Sequence, residues 1–435
     1  MLARRPSPTL ATGFVALAAV VATGAAAPTA GAAMPSTSGI GSRAGVVVVD
    51  LGTGRTLLSR AGDSRRIPAS VTKLFTVSAA LKRLGPDWTP RTRVVATGAA
   101  AGDTWRGDLH LVGGGDPTLT TAALKALAGQ AVRALGVERL DGRVRVDATA
   151  FDDWQGSVRT GRAADGDMGG RINAVSVDRG ARTVTPAERA GSLFRTALRT
   201  AGLRVFGTVA QDDAPPAGGT TVAVQAGPTL AQLTAQILGP SDNYAAEVLM
   251  KDLASRDGAE AACRVQAALP PVAPDDALVA EPPAAAACLA DASRVRSATT
   301  AAGSLVLRTT LRPLAGTTPK IVDGSGLTRR NRVSPATVVR LLQSVDADET
   351  IGPVVRAGLP QAGRTGTLAR RMRGTAAVGR CAAKTGTING VSALAGYCTT
   401  RRGREVAFAI LQNGGDVYSA RAFQDRFVAR LAQVG

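Results

Sequence analysis

The chain has 435 residues, of which 45% are hydrophobic and 20% charged, and its formal net charge is +19. This composition excludes a disordered chain and is typical of a globular protein with one large or two to three smaller domains. Nucleic-acid binding is not indicated, because only six of the 52 basic residues are Lys and aromatic residues make up 3%. The charge instead fits a loose, salt-dependent association with an anionic cell wall or membrane surface.

The first 33 residues have the pattern of a secretory signal peptide. Arg4 and Arg5 precede an apolar run at 13–27, and small residues follow at 31–33. A membrane anchor is the alternative, but this run is shorter than the roughly 20 apolar residues that a membrane span needs. We therefore predict export across the cytoplasmic membrane into the extracellular, cell-wall or periplasmic space, with residues 1–33 as the signal peptide.

The first predicted elements are a hairpin and a helix, followed by a region of different character. Residues 45–60 form two short strands around a Gly-rich turn, and apolar residues recur at helical spacing from Ser70 to Leu84. From 92 to 224, short β-like runs alternate with Gly/Asp turns, with one helical piece at 124–135. We predict that 92–224 is an inserted, mostly β domain.

The second half predicts helices followed by a final set of strands. Residues 229–254 are helical and end near Arg256, 268–287 form a Pro/Ala-rich loop, and helices follow at 299–314 and 336–345. The end is a hairpin (382–397), a strand (405–411) and an amphipathic helix (420–431). Strands at both ends with helices between them predict an α/β core, in which the terminal strands share one antiparallel sheet flanked by helices. The core domain is then discontinuous, comprising 34–91 and 225–435.

Four cysteines fit an oxidising compartment and two disulfides. Cys381 and Cys398 flank the Asn-Gly dipeptide at 389–390, a strong signal for a two-residue hairpin turn. Counting back from that turn places the two cysteines opposite each other at a non-hydrogen-bonded pair. Cys263 is then left to pair with Cys288. Free thiols are the alternative, which an exported chain does not favour.

His110 is the only histidine of the chain. A single His can complete a Ser-His-Asp triad, but a lone His is more often structural. There is no second His and no Cys-x-x-Cys pair, so we expect neither a metal nor a cofactor. The base of a hydrolase here would be Lys or a carboxylate.

Ser70 and Lys73 place a hydroxyl and an amine at positions i and i+3 of one helix, within reach of each other. The backbone N–H of Ser70 at the helix start is free to contribute to an oxyanion hole. The alternative is an N-capping serine beside a solvated lysine. Two further patterns complete the set: Ser241-Asp242-Asn243, and Lys384-Thr385-Gly386-Thr387 on the first strand of the predicted hairpin.

The three patterns are selective when they occur together. Of the six Lys, only Lys73 has a Ser three positions before it, and only Lys384 is followed by Thr-Gly. Of the five Asn, only Asn243 has a Ser two positions before it. Taken alone, Lys384 would also be consistent with an edge-strand lysine that prevents aggregation.

In this order the patterns resemble the Ser-x-x-Lys, Ser-x-Asn and Lys-Thr-Gly motifs of penicillin-binding proteins and serine β-lactamases. The chain is similar to the D-alanyl-D-alanine carboxypeptidase/endopeptidase family of class C penicillin-binding proteins, peptidase family S13. The similarity includes the 167 residues between the first two motifs and the runs at 113–117, 323–327 and 366–372. It covers essentially the whole mature chain and implies a penicillin-binding/serine β-lactamase-like core with an inserted β-rich domain. The insertion is shorter than in larger members, and 263–288 resembles an added loop.

The resemblance and the residue chemistry together predict a mechanism. Ser70 is the acylated nucleophile and Lys73 its base, with a pKa lowered by burial and by the second ammonium of Lys384. Ser241 is a proton relay between Lys73 and the leaving nitrogen. Asn243 binds the amide of the penultimate residue.

The third motif is predicted to hold the end of the substrate. Thr385 and Thr387, with the charge of Lys384, suit a free C-terminal carboxylate, and the small Gly386 lets a substrate backbone lie alongside the strand. The resemblance implies that the backbone N–H groups of Ser70 and Thr387 form the oxyanion hole.

Arg329 and Ile388 are candidates for binding the diamino acid of the stem peptide, although Arg329 is equally consistent with a surface arginine. The predicted activity is that of a serine D-Ala-D-Ala carboxypeptidase, with DD-endopeptidase activity left open, on peptidoglycan stem peptides. β-Lactam antibiotics would be covalent inhibitors. The alternatives are a serine β-lactamase, which needs a water-activating group for fast deacylation, and a non-catalytic wall-binding protein that retains the fold.

Overall fold

The structure is a computed structural model that describes residues 33–180, 185–266, 283–292, 295 and 297–434. The predicted signal peptide, except for residue 33, and most of the predicted loop at 268–287 lie outside the described residues. In the part of the chain that is described, no helix is long and apolar enough to cross a membrane.

The described strands, in chain order, are β1 (Ala44–Asp50), β2 (Thr56–Arg60), β3 (Arg91–Ala96), β4 (Ala99–Ala101), β5 (Thr104–Arg106), β6 (Leu109–Val112), β7 (Arg139–Asp141), β8 (Val144–Asp147), β9 (Arg204–Val205), β10 (Val209–Gln211), β11 (Thr220–Ala226), β12 (Cys381–Ile388), β13 (Val391–Thr399) and β14 (Glu405–Asn413). The described α-helices are α1 (Thr72–Leu84), α2 (Thr121–Leu135), α3 (Pro186–Thr200), α4 (Leu230–Leu238), α5 (Asn243–Asp252), α6 (Arg256–Gln266), α7 (Pro283–Ala292), α8 (Thr300–Ala315), α9 (Pro335–Asp346), α10 (Gly352–Gly358) and α11 (Val417–Leu431).

The two ends of the chain share one antiparallel sheet with strand order β12-β13-β14-β1-β2, as the sequence predicts. Every residue of β1 is buried because both faces of the sheet are covered. Val47 and Val49 pack into the core formed with α1 and α9, whereas Val46 and Val48 pack into the core formed with α11. This sheet places β12, which carries the Lys-Thr-Gly motif, at an open edge.

The region between β3 and β11 has its own core and two sheets. Their strand orders are β10-β8-β6-β3-β11 and β4-β5-β7-β9. The region contains α2, which was predicted, and α3, which was missed. A readable signal for α3 exists, since Thr185 caps the helix by accepting the N–H of Glu188 at 3.3 Å and Pro186 follows the cap. The domain boundary at 92–224 stays a prediction.

Three predictions in the second half are corrected by the structure. The single helix over 229–254 is two helices, because Pro240 lacks an N–H and Ser241 has a φ of 68° between α4 and α5. Arg256 begins α6 rather than ending a helix, since Ser255 Oγ accepts the N–H of Gly258 at 3.0 Å. Residues 283–287 belong to α7 and not to a loop.

Both predicted disulfides are present in the structure. Cys263 links α6 to Cys288 in α7, with a Cα–Cα distance of 5.8 Å. Cys381 and Cys398 are register partners in β12 and β13, with a Cα–Cα distance of 4.1 Å. The N–H of Thr399 donates to the carbonyl of the neighbouring residue 380 at 2.9 Å, so the cysteines occupy the non-hydrogen-bonded pair.

Candidate active site

The three motifs meet at one cavity of about 490 Å³. Five of its lining residues are predicted site residues and three were not predicted. The predicted ones are Ser70, Ser241, Asn243, Thr385 and Thr387, and the others are Thr367, Arg371 and Arg421.

Ser70 lies in a 3₁₀ turn at 69–71 that leads directly into α1, so it is at the N-terminal end of this helix as predicted. The preceding residue, Ala69, has a positive φ of 47°, a conformation that costs energy for any residue with a Cβ. Asn413 of β14 fixes the approach to the turn, since its Oδ1 accepts the N–H of Ile67 at 2.8 Å and its Nδ2 donates to the Ile67 carbonyl at 3.0 Å. The sheet formed by β12, β13, β14, β1 and β2, the terminal sheet, therefore directly holds the turn at 69–71. This turn is called the nucleophile turn below, after the predicted role of Ser70.

Gly386 brings β12 against the same turn. A Cβ at this position would lie 2.6 Å from the Pro68 carbonyl oxygen and 3.0 Å from the Ser70 nitrogen. Ala383 donates its N–H to a carbonyl outside the sheet, and alternate residues of an antiparallel strand face the same side. The N–H of Thr387 consequently points out from the sheet edge, the side on which the nucleophile turn packs.

Lys73 is fully buried and lies beside Ser70. Its Nζ donates to Ser70 Oγ at 3.1 Å, to Asn243 Oδ1 at 2.6 Å and to the Ser325 carbonyl at 2.8 Å. Burial lowers the pKa of Lys73 to about 8, while the carboxylates of the site act in the opposite direction. The neutral form of the Lys73 amine is therefore accessible near physiological pH. The hydroxyl of Ser70, the predicted nucleophile, lies within hydrogen-bond distance of it.

Two buried carboxyl groups beneath Lys73 shape the loop that contacts it. Glu247 Oε1 accepts the N–H of Ser325 at 2.8 Å, and Asp323 Oδ2 accepts the N–H of Thr328 at 2.7 Å. Burial, followed by the charge of Asp323, raises the pKa of Glu247 to about 7, and burial also raises the pKa of Asp323. Together these groups hold the Ser325 carbonyl towards Lys73, which gives Asp323 a structural part that the sequence did not reveal.

Lys384 is also fully buried, and its Nζ donates to Ser241 Oγ at 2.8 Å and to the Thr385 carbonyl at 2.8 Å. Burial, followed by the charge of Lys73, holds the pKa of Lys384 well below its usual value. Burial lowers the pKa values of both lysines, and the two ammonium groups disfavour each other's charged form. Nearby carboxylates, Glu247 first, raise the pKa of Lys73 against this effect. The hydrogen-bond partner of Ser241 is Lys384 and not Lys73.

The region between β3 and β11 forms one wall of the second motif, a feature with no signal in the sequence. Asn243 Nδ2 donates to the backbone carbonyl of Asp167 at 2.7 Å. Arg179 pairs with Asp242 through Nη1 and Oδ1 at 3.3 Å, and its guanidinium lies 5.3 Å from the ring centroid of Tyr244. The region between β3 and β11 thus contacts three consecutive residues, Asp242, Asn243 and Tyr244.

The three unpredicted lining residues surround the hydroxyls of the third motif. Thr385 Oγ1 donates to Thr367 Oγ1 at 2.9 Å. Arg421 Nη2 in α11 donates to Thr387 Oγ1 at 3.0 Å, and Arg371 lies beside it on the cavity wall. The sequence indicates the 366–372 run only through the family resemblance. It predicts α11 as a helix but gives no functional residue in it.

Two further candidates lie outside the cavity lining. Arg329 donates from Nη1 to the Asn389 carbonyl at 2.7 Å, and Ile388 packs beside the nucleophile turn, so their part in substrate binding stays a prediction. His110 lies in β6, with Nδ1 2.7 Å from Asp212 Oδ2, and does not line the cavity. Within the described residues, no three His, Cys, Asp or Glu side chains are placed to hold a metal ion.

Comparison with known proteins identifies the family. The model of the D-Ala-D-Ala carboxypeptidase 3 (S13) family matches residues 33–184, 164–269 and 286–434. The chain is 34% identical to a D-alanyl-D-alanine carboxypeptidase of Actinomadura sp. (strain R39), covering 90% of this chain and 82% of that protein. It is 31% identical to Carboxypeptidase DacB of Mycolicibacterium smegmatis, covering 84% of this chain and 75% of that protein.

The fold is similar to the crystal structure of penicillin binding protein 4 (dacB) from Haemophilus influenzae. The TM-score is 0.72 at 20% sequence identity, covering 90% of this chain and 96% of that chain. The fold class predicted from the sequence is confirmed. Because the family model covers most of the chain, the protein belongs to the D-Ala-D-Ala carboxypeptidase 3 (S13) family.

Proposed function

We propose that the protein is an exported serine D-alanyl-D-alanine carboxypeptidase that acts on peptidoglycan stem peptides through an acyl-enzyme on Ser70. The observation that carries this proposal is the position of Ser70 Oγ, 3.1 Å from the Nζ of a fully buried lysine and open to a cavity lined by all three motifs. The names of the curated relatives support the same activity.

In the acylation step, Ser70 Oγ attacks the carbonyl carbon of the terminal D-Ala-D-Ala amide and transfers its proton to the neutral Nζ of Lys73. The tetrahedral oxyanion is stabilised by the N–H groups of Ser70 and Thr387, a contribution worth about 10²–10³ in rate per donor. As the C–N bond breaks, the Lys73 ammonium gives its proton to the leaving nitrogen, while Ser241 stays hydrogen-bonded to Lys384. Free D-alanine leaves, and an ester on Ser70 remains.

The substrate would be held along β12. Asn243 Nδ2 hydrogen-bonds the acyl side of the substrate, while Thr385 and Thr387 receive the C-terminal carboxylate. Gly386, next to the nucleophile turn, leaves no side chain between β12 and the reacting carbonyl. In deacylation, Lys73 accepts a proton from water, hydroxide attacks the ester, and Ser70 recovers its proton.

The β-lactamase alternative requires rapid hydrolysis of the penicilloyl ester. No carboxylate is among the described residues that line the cavity, so no such group is placed there to activate water. This favours a long-lived penicillin adduct and hence a peptidase. Intact Ser70, Lys73 and Lys384 in hydrogen-bonded positions argue against a non-catalytic wall-binding protein.

The location and weaker partners also belong to the proposal. The signal-like pattern at 1–33 and two disulfides support export into an oxidising space. A net charge of +19 supports salt-dependent retention near anionic wall polymers.

The test is D-alanine release from a pentapeptide of the diaminopimelate type, together with intact-mass detection of a labelled penicillin adduct. We expect release and a slowly lost adduct for the native protein, and neither for Ser70→Ala. Ser64→Ala, at an exposed serine nearby, is the matched control and should behave as the native protein does. Equal background release from the native protein and Ser70→Ala would reject the activity, and rapid turnover of penicillin would reject the peptidase in favour of the lactamase.

A further inference from the structure

Two arginines line the end of the cavity where the third motif presents its hydroxyls. Arg421 comes from α11 and Arg371 from the 366–372 run, and both share the cavity with Thr385 and Thr387. Neither arginine belongs to the three motifs. A pair of guanidinium groups at this position gives the cavity a strongly cationic end.

The two guanidinium groups differ in their pairing. Arg371 is neutralised, since its Nη2 lies 2.7 Å from Asp425 Oδ1 and 3.1 Å from Gln424 Oε1. Arg421 lies one helical turn before Asp425 in α11, yet Asp425 pairs with Arg371. Among the described residues, no carboxylate lies within salt-bridge distance of Arg421, whose Nη2 donates to Thr387 Oγ1 at 3.0 Å. The guanidinium of Arg421 is therefore a positive charge without a carboxylate partner among the described residues, and it lies beside the hydroxyl of Thr387.

The two lysines of the site are less suited than Arg421 to provide a positive charge for a substrate carboxylate. The Nζ of Lys384 already donates to Ser241 and Thr385, and burial, which disfavours its charged form, holds the pKa of Lys384 well below its usual value. The Nζ of Lys73 is engaged with Ser70 and two further acceptors. A guanidinium stays protonated at any physiological pH and offers several N–H donors to a carboxylate.

We propose that Arg421 is a specificity-determining residue that binds the carboxylate of the leaving group together with the Thr387 hydroxyl. This inference rests on the proposed function and deepens it: the enzyme selects acyl donors whose leaving group carries a free carboxylate next to the scissile amide. The same contact orients the carboxylate of a penicillin during acylation. Arg371 stays paired with Asp425 and forms the wall against which the leaving group packs.

The test compares substrates with and without the negative charge. The kcat/KM is measured for an acyl-D-Ala-D-Ala peptide and for its C-terminal carboxamide, with native protein, Arg421→Gln, Arg421→Lys and the matched control Arg426→Gln. Arg426 is an exposed arginine of the same helix and does not line the cavity.

We expect Arg421→Gln to lower kcat/KM for the carboxylate substrate about 10- to 100-fold, the effect of losing one charge-assisted hydrogen bond. The carboxamide should change less than about threefold, Arg421→Lys should recover part of the preference, and Arg426→Gln should match native protein.

A second pair of reagents keeps this inference separate from the proposed activity. Acylation of Ser70 by benzylpenicillin and by its neutral methyl ester, followed by intact mass, should show the same loss of preference in Arg421→Gln. If native protein releases no D-alanine, the proposed activity fails while the penicillin pair still tests Arg421. An equal loss on charged and neutral reagents, or no loss on either, overturns the assignment of Arg421.

Discussion

The region built on the terminal sheet and the inserted region both contact the candidate active site, but in different ways. The former supplies Ser70 and two lysines that are fully buried. The insertion supplies a backbone carbonyl at Asp167 and the partly exposed guanidinium of Arg179. The difference indicates that the chemistry is concentrated where water is excluded, while the insertion fixes the geometry of the second motif from outside.

Burial explains why the charges of the two regions behave differently. Lys73 and Lys384 have lowered pKa values because desolvation disfavours their charged forms. In the insertion, Arg162 and Asp153 form an exposed pair with 75% and 61% of their side chains accessible. Such a pair is screened by solvent and contributes little to stability. Substitutions should therefore affect the rate in the core region and have small effects in most of the insertion.

The largest expected effect comes from replacing Lys73. Lys73→Met keeps the volume of the buried side chain but removes the amine that we propose as the acceptor of the Ser70 proton. We expect the rate of acylation by penicillin to fall by about 10²–10⁴, the usual contribution of a general base. The measurement is the rate of adduct formation by intact mass.

The control is Lys82→Met on the same helix, where the lysine is 48% exposed and pairs with Asp348. This variant should be acylated at the native rate. Thermal unfolding of both variants checks that the fold is kept. Native-rate acylation of Lys73→Met would remove Lys73 as the base.

A smaller effect is expected from the insertion. Arg179→Met removes the ion pair with Asp242 and the cation–π contact with Tyr244, which together are worth about 1–1.5 kcal/mol. We expect acylation to slow about 5- to 10-fold, because the second motif loses its outer support. Arg162→Met, in the exposed pair of the same region, should leave the rate unchanged. If both variants behave alike, the insertion does not position the motif.

Local and periodic features of the molecule were predictable from the sequence. The spacing of Ser70 and Lys73 fixes their proximity wherever the chain is helical, and the hairpin register fixes the Cys381–Cys398 pair. The order of the elements, with strands before and after the helices of the core, predicted the shared sheet.

Long-range contacts of the site were not predictable in this way. The contact of the Asp167 carbonyl with Asn243 and that of Arg421 with Thr387 depend on how distant segments pack, and no local pattern encodes them. The pKa of Lys73 also depends on buried carboxylates such as that of Glu247, a buried residue of α5. The sequence identified the two amines, but not the buried carboxylates that act on Lys73.

The smallest expected effect concerns the pH at which the base becomes neutral. Acylation of native protein should rise with pH through about 8, since Lys73 must lose its proton to act as a base. Glu247 raises the pKa of Lys73, so Glu247→Gln should lower this pKa and shift the midpoint of the acylation rate to lower pH. The glutamine keeps an oxygen for the N–H of Ser325, whereas Glu260→Gln, in a surface pair with Arg256, should leave the midpoint in place. A midpoint in Glu247→Gln that stays or rises would show that the buried carboxylates do not set the basicity of Lys73.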